Sequence, residues 1–318
     1  MSIEMLHITL LEHAKKLGFA SLGVIPVNLM EKECEYLDLF LKHSYNGTME
    51  YMRKNRDIRE NPELLLKGAK SIIVVLVPYK PAVKQNQDKI GIASYAYGKD
   101  YHYVIKERLK LLACTLKEYD NNVNYRVFTD SAPIFERSMA VKAGLGFIGK
   151  NNFLISKEHG LHTFIGIIIT NIEMEYTSTS AQIQNLCGSC TRCLDACPTG
   201  ALVAPFRIDA RKCISYKTIE SKEEYDISDK SDSRAGMMFG CDICMDVCPW
   251  ARKAQVGNWV DFSPLMLKNG CSIIDVPSSY WLELDKETFK EEFKQSPLFR
   301  AGLDKIKNNV RHELANKS

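Results

Sequence analysis

The first twenty residues, MSIEMLHITLLEHAKKLGFA, carry Glu4 and Glu12 and contain no uninterrupted apolar core. They read as an amphipathic helix, not a secretory leader, so cytoplasm is the expected compartment. No apolar run approaches the roughly 20 residues needed to cross a bilayer, and no membrane partner is expected. An excess of either charge is missing too: 42 Lys and Arg stand against 39 Asp and Glu, a net of +3. That is no global signature of a nucleic-acid binder, although a local basic face would suffice for RNA. A dinucleotide fingerprint is missing, because the glycines of GLGFIGKNNFLI, Gly144 to Ile155, follow a helix and do not open one after a strand. Internal repeats are absent apart from two cysteine runs.

Cysteine is what the chain has in quantity, 11 in 318 residues. Cys187 to Pro198 reads CGSCTRCLDACP, the C-x2-C-x2-C-x3-C-P run of a bacterial-type ferredoxin. Cys241 to Pro249 reads CDICMDVCP. In two-cluster ferredoxins the fourth cysteine of such a run ligates the other cluster. One cluster would then take Cys187, Cys190, Cys193 and Cys248. The other would take Cys197, Cys241 and Cys244 and lack one ligand, for which Cys213 in ARKCISY is the best candidate. Zinc usually takes separated C-x2-C pairs closing one tetrahedral site, and clustered cysteines without a leader favour metal over disulfides. Cys34, Cys114 and Cys271 read as small hydrophobes, and Cys213 taken alone could be one as well.

Hydrophobic periodicity predicts helices over residues 3–17, 29–43, 104–119 and 134–143, and strands over 20–27, 71–79, 125–128 and 161–172. The 71–79 run, SIIVVLVPY, is apolar on both faces, as suits a strand inside a sheet covered on both sides. SYAYGKDYHYV, Ser94 to Val104, gathers four tyrosines and a histidine, a composition that suits a pocket for a large planar ligand or simply partly buried aromatics. Strand 125–128 delivers Thr129-Asp130-Ser131 at its end, where catalytic residues are often displayed. Asp130 is a candidate for that role or for a helix cap. Glu220 to Ser233 reads as an exposed charged loop, and Lys305 to Lys317 as a basic tail.

These runs, together with TDSAPIFER at 129–137, AGLGFIGKNNFLI at 143–155, CPTGAL at 197–202, CISYKTIE at 213–220 and FGCDICMDVCPW at 239–250, resemble the epoxyqueuosine reductase family. The resemblance covers roughly residues 1–300. It implies an α+β chain in which an N-terminal α/β cobalamin-binding domain, similar to that of reductive dehalogenases, spans 1–176. A bacterial two-cluster ferredoxin-like domain spans 177–255, and a C-terminal helical extension spans 256–318. It implies reduction of epoxyqueuosine to queuosine at the wobble position of tRNA. Cobalamin would do the chemistry, fed by two [4Fe-4S] clusters and an unidentified electron donor, in a monomer.

By the same resemblance Asp130 is the proton donor, and a positioned acid is typically worth ~10²–10⁴-fold. Arg53, Tyr97, His102, Asn152, Leu154 and Ser215 stand at cofactor-contacting positions. The chain departs from the family where it ends before a helical-repeat tail found in many members. RNA would then be held by local clusters such as Arg207, Arg211, Lys212, Lys217, Arg252 and Lys253. Two other readings are a corrinoid reductase of a small molecule and a plain electron-transfer module; tight cobalamin binding would separate the last from the others.

Overall fold

The computed structural model describes residues 2–177, 186–223, 232 and 234–317. Its centre is a four-stranded sheet of β1 (Ser21–Pro26), β2 (Ser71–Pro78), β3 (Tyr125–Phe128) and β4 (Thr163–Thr170). The spatial order is β1-β2-β4-β3, and every neighbouring pair is antiparallel. All eight residues of β2 are buried. Its alternation therefore sorts two apolar faces rather than an apolar and a polar one.

Ile73, Val75 and Val77 face α1 (Ile3–Lys16) and a long helix at Tyr101–Tyr119, whose Ile105, Leu109, Leu112 and Leu116 fill one core. Ile72, Val74 and Leu76 face the opposite way. They pack with Met30, at the entrance to α2 (Glu31–Lys42), and with Met139, Ala140 and Ala143. With the Tyr101–Tyr119 helix as α3, the helix Glu136–Lys142 is α4. Helices on both sides thus bury an antiparallel sheet that reads like a parallel one. Burying each aliphatic side chain of β2 is worth about 1.5–3 kcal/mol.

Close approaches fix the layers. A Cβ on Gly23 would lie 2.5 Å from the Ala143 carbonyl oxygen, so β1 and the end of α4 touch through backbone. Between α1 and α3, His13 Nδ1 and Thr115 Oγ1 are 2.7 Å apart.

The cysteine runs form a lobe of single-turn helices, Arg192–Asp195 and Ile243–Asp246, with short strands. The C-terminal part is not a separate layer. Trp281, Phe289, Phe293, Ile306 and Val310 share one apolar cluster with Ile90, Ile92, Ala96, Tyr97, Met238 and Phe239. Residues Lys305 to Lys317, expected as a basic tail, lie within a docked helix, Leu303–Lys317, in which Ile306, Asn309, Val310 and His312 are fully buried. Charge count concealed its apolar stripe. Most of the expected loop 220–233 lies outside the described residues. Among the described residues no helix is long and apolar enough to cross a membrane.

Candidate functional site

Eight thiols fall into two neighbouring groups. Cys193 and Cys248 each feel the charge of Cys187, and Cys248 also that of Cys190. Cys241 and Cys244 each feel Cys213 and Cys197. Cys244 also feels Cys193, so the groups adjoin. Burial, then the neighbouring thiols, pushes Cys241 up to about 12 and Cys244 higher still. At Cys197 burial raises the thiol, but donors from Leu202, Thr199 and Ala201 outweigh it and the net shift is downward. Further N–H groups, of Ser215 and Tyr216 at Cys213 and of Trp250 and Ala251 at Cys248, also favour the charged sulfur. A cavity of about 120 Å³ lies among Cys187, Cys190, Cys193 and Cys248, walled by Lys150, Asn151 and Trp250. Four cysteines lining one cavity and four more coupled by charge beside it, with backbone donors aimed at several sulfurs, are a donor set suited to iron–sulfur clusters.

Three segments tie this lobe to the sheet. Lys150 Nζ donates to the Gly188 and Cys190 carbonyls at 2.6 and 2.9 Å, and Asn151 Nδ2 to the Cys244 carbonyl at 3.2 Å. The Tyr216 hydroxyl accepts from Thr48 N–H at 2.7 Å, joining the Arg53 segment to the Ser215 segment. Ser94 N–H donates to Asp242 Oδ2 at 2.7 Å, and the Ala93 amide donates to the Phe239 carbonyl at 2.8 Å. The backbone at Gly240, with φ +70°, passes so near that a Cβ there would sit 2.5 Å from Ala93 Cβ.

Asp130 stands where β3 ends. Thr129 anchors the turn by donating from Oγ1 to the Ile165 carbonyl at 2.8 Å. Asp130 takes a left-handed φ of +47°, and its side chain is 67% exposed. Tyr101, at the first turn of α3, donates its hydroxyl to Asp130 Oδ2. Phe164 stacks on the Tyr101 ring at 4.3 Å and 8°. Asp100 caps α3 by accepting from the His102 amide at 3.0 Å and also accepts from His102 Nδ1 at 2.7 Å. Arg300 donates to Asp100 Oδ2 at 2.9 Å and to His102 Nε2 at 3.2 Å. That network places the histidine proton on Nδ1, so Nε2, 3.3 Å from the Asp130 carbonyl, is not donating there.

Other groups share this cleft. Burial, then the charges of Glu220 and Asp130, pushes Tyr51 up to about 12. Burial and Asp130 likewise raise Glu220. Tyr95, raised by burial and then by Asp130 and Asp242, has its ring 6.1 Å from Tyr101 and 6.2 Å from Phe239. Glu136 accepts from the Asp130 amide at 2.6 Å; desolvation, then the Asp130 charge, pushes its carboxyl up to about 8.

The sequence-predicted positions are distributed unevenly. His102 lies beside Asp130, Tyr51 of the Arg53 segment feels the Asp130 charge, and the Ser215 segment meets the Arg53 segment through Tyr216 and Thr48. Asn152 has φ +65°, and its Nδ2 is buried with no partner among the described residues. Tyr97 points elsewhere: it is 3% exposed in the C-terminal apolar cluster, and its hydroxyl accepts from the Gln85 amide at 3.2 Å. Of its neighbours, Tyr101 reaches Asp130. Leu154 is 4% exposed and packs in the core, so only its backbone can border the cleft. Of the basic candidates for RNA, Arg211 is paired with Asp209 at 2.8 Å and Lys217 with Asp232, whereas Arg207 and Arg252 are exposed. Sequence reasoning missed Tyr101, Glu136 and Arg300. A polar residue one turn past Asp130 was a usable signal for Glu136; Arg300 had none, lying 200 positions from Asp100.

Residues 186–251 match the family described as 4Fe-4S double cluster binding domain, and 59–131 match Epoxyqueuosine reductase QueG, DUF1730. An epoxyqueuosine reductase of Cyclobacterium marinum is 41% identical over 299 residues, 93% of either chain. A solved epoxyqueuosine reductase with an epoxyqueuosine-modified tRNA-TYR stem loop superposes with TM-score 0.86 at 30% identity, covering 99% of this chain and 82% of that one. A Bacillus subtilis epoxyqueuosine reductase, solved with an aspartate-bearing catalytic loop swung out of its active site, gives 0.85 at 29%, covering 99% and 82%. The likeness runs along nearly the whole chain, and this chain belongs to the epoxyqueuosine reductase family.

Proposed function

We propose that this chain reduces epoxyqueuosine in tRNA to queuosine, with Asp130 as the acid that protonates the departing epoxide oxygen. The observation that carries the reading is the exposed Asp130 carboxyl, bonded to Tyr101, whose ring meets Tyr95 at 6.1 Å, which in turn lies 6.2 Å from Phe239, two residues before Cys241 of the second thiol set. One [4Fe-4S] cluster is assigned to Cys187, Cys190, Cys193 and Cys248, the other to Cys197, Cys213, Cys241 and Cys244. Cobalamin supplies the two-electron reduction that single-electron clusters cannot perform in one step.

The residues present fit cobalamin. Asn152 Nδ2 is a buried donor without a partner, suited to the amide oxygens that rim a corrin. Arg59 Nε is another such donor, with its guanidinium 5.9 Å from the Phe135 ring. Arg53, Asn152 and Ser215 would border the cofactor, with Leu154 contributing backbone.

The reaction consumes two electrons and two protons. Both C–O bonds of the epoxide break, an alkene forms and the oxygen leaves as water. Asp130 gives a proton to the oxygen as it opens. Tyr101, donating to Asp130 Oδ2, stabilises the carboxylate that remains. The Asp100–His102–Arg300 chain keeps the wall beside Asp130 in one arrangement.

The domain limits 1–176, 177–255 and 256–318, a cytoplasmic monomer and a separate electron donor belong to the same proposal. Incubating the reconstituted protein with epoxyqueuosine-containing tRNA under reducing, anaerobic conditions tests it. Queuosine should form, and its absence with both cofactor types bound would refute the assignment.

A further inference from the structure

Two non-glycine residues at the cleft, Asp130 and Asn152, hold left-handed backbone, φ +47° and +65°. Asparagine and aspartate tolerate this conformation better than other side chains, yet it persists only where neighbours over-determine it. Each has one backbone group bonded to a side chain from the first turn of α4. The Asp130 amide donates to Glu136 Oε1 at 2.6 Å. The Asn152 carbonyl accepts from Arg137.

We propose that Glu136 and Arg137 are a positioning pair, two consecutive residues that clamp the Asp130 turn and the Asn152 turn to one short helix and so set their separation across the cleft. The helix is a firm base: its Met139, Ala140 and Ala143 are buried against the sheet, and Ala143 abuts Gly23 of β1. Elsewhere the turn is held through the Asp130 side chain, whose Oδ2 accepts from the Tyr101 hydroxyl. Thr129 holds its entrance, and the Ile134 amide bonds to the Ala132 carbonyl within it. His102 Nε2 faces the Asp130 carbonyl and not its amide, and the Asp130 amide has Glu136 as its partner among the described residues. Oxygen as acceptor is what this geometry uses, so glutamine should serve where alanine cannot.

The proposal rests on Asp130 being the acid, and the test separates the two ideas. Hydrogen exchange of the 129–135 amides is read in wild type, Glu136→Ala and Glu136→Gln, together with single-turnover rates. Glu136→Ala should speed exchange in 129–135 about tenfold, the loss of one hydrogen bond, with β2 and β4 unchanged. Its turnover should fall by about 10²-fold, as a misplaced catalytic group does, with KM, iron and cobalamin content held. Glu136→Gln should restore both. Arg137→Gln should loosen 150–154 instead. Unchanged exchange at 129–135 in Glu136→Ala, or Glu136→Gln as defective as the alanine variant, would overturn the proposal. Full activity of Asp130→Asn would remove the acid assignment while leaving the exchange result standing.

Discussion

Replacing Asp130 with asparagine removes the transferable proton, and with it the carboxylate charge that raises Glu136 and Glu220, while keeping the size of the side chain. Asparagine is similar in size and accepts the left-handed φ of +47°. Its Oδ1 still receives the Tyr101 hydroxyl, and its amide still donates to Glu136. The site is exposed, so folding stability should change by less than about 0.5 kcal/mol. Loss of a general acid costs ~10²–10⁴-fold, about 2.7–5.5 kcal/mol of barrier. The two energies differ enough to be told apart. Single-turnover conversion is followed by mass spectrometry of nucleosides, on protein matched for iron and cobalamin, beside a urea melt. A rate within about threefold of wild type would refute the reasoning, since asparagine has no proton to give the departing oxygen.

Cys213→Ala should cost the second group its fourth thiolate and lower iron content while sparing the set of Cys187, Cys190, Cys193 and Cys248; an undiminished iron count would show that Cys213 is no ligand. Glu136, raised from 4.5 to about 8, favours folding in its protonated form, so its contribution is full below the unfolded value and is lost as pH rises through about 8. Urea melts at about pH 5 and about pH 9 should therefore show a smaller drop with pH in Glu136→Gln than in wild type, and equal drops would contradict it. Arg108 lies 3.7 Å over the Trp259 ring and donates to the Leu17 carbonyl at 3.2 Å and to Asp261 at 3.1 Å. Arg108→Ala should destabilise the fold by about 2 kcal/mol; a melt shifted by less than a quarter of that would place its bonds in solvent.

Elements with strong periodicity were legible. Strand 125–128 stands where it was expected, and β2 is buried on both faces as its unbroken apolar run implies. The antiparallel order of the sheet was not, because a strand covered on both sides has no alternation to distinguish it from a parallel one. The two thiol groups follow from spacing, since short C-x2-C steps hold three sulfurs to one side of a turn. The cleft was only half visible. Asp130 announced itself at a strand end, whereas Tyr95 and Tyr101 could not be told from Tyr97 by composition, and their directions are set by a cap at Asp100 and a stack on Phe164. A C-terminal helical extension was expected, but the docking of the Leu303–Lys317 helix was hidden, because its buried Asn309, His312 and Glu313 read as solvent-facing until their partners are seen.

The central claim is most directly tested by one experiment. Epoxyqueuosine-containing tRNA is incubated anaerobically with the reconstituted protein and a reductant, with and without cobalamin, and its nucleosides are weighed by mass spectrometry. The account predicts queuosine only when cobalamin is present. Conversion without it, or none with clusters and cobalamin both bound, would contradict the account.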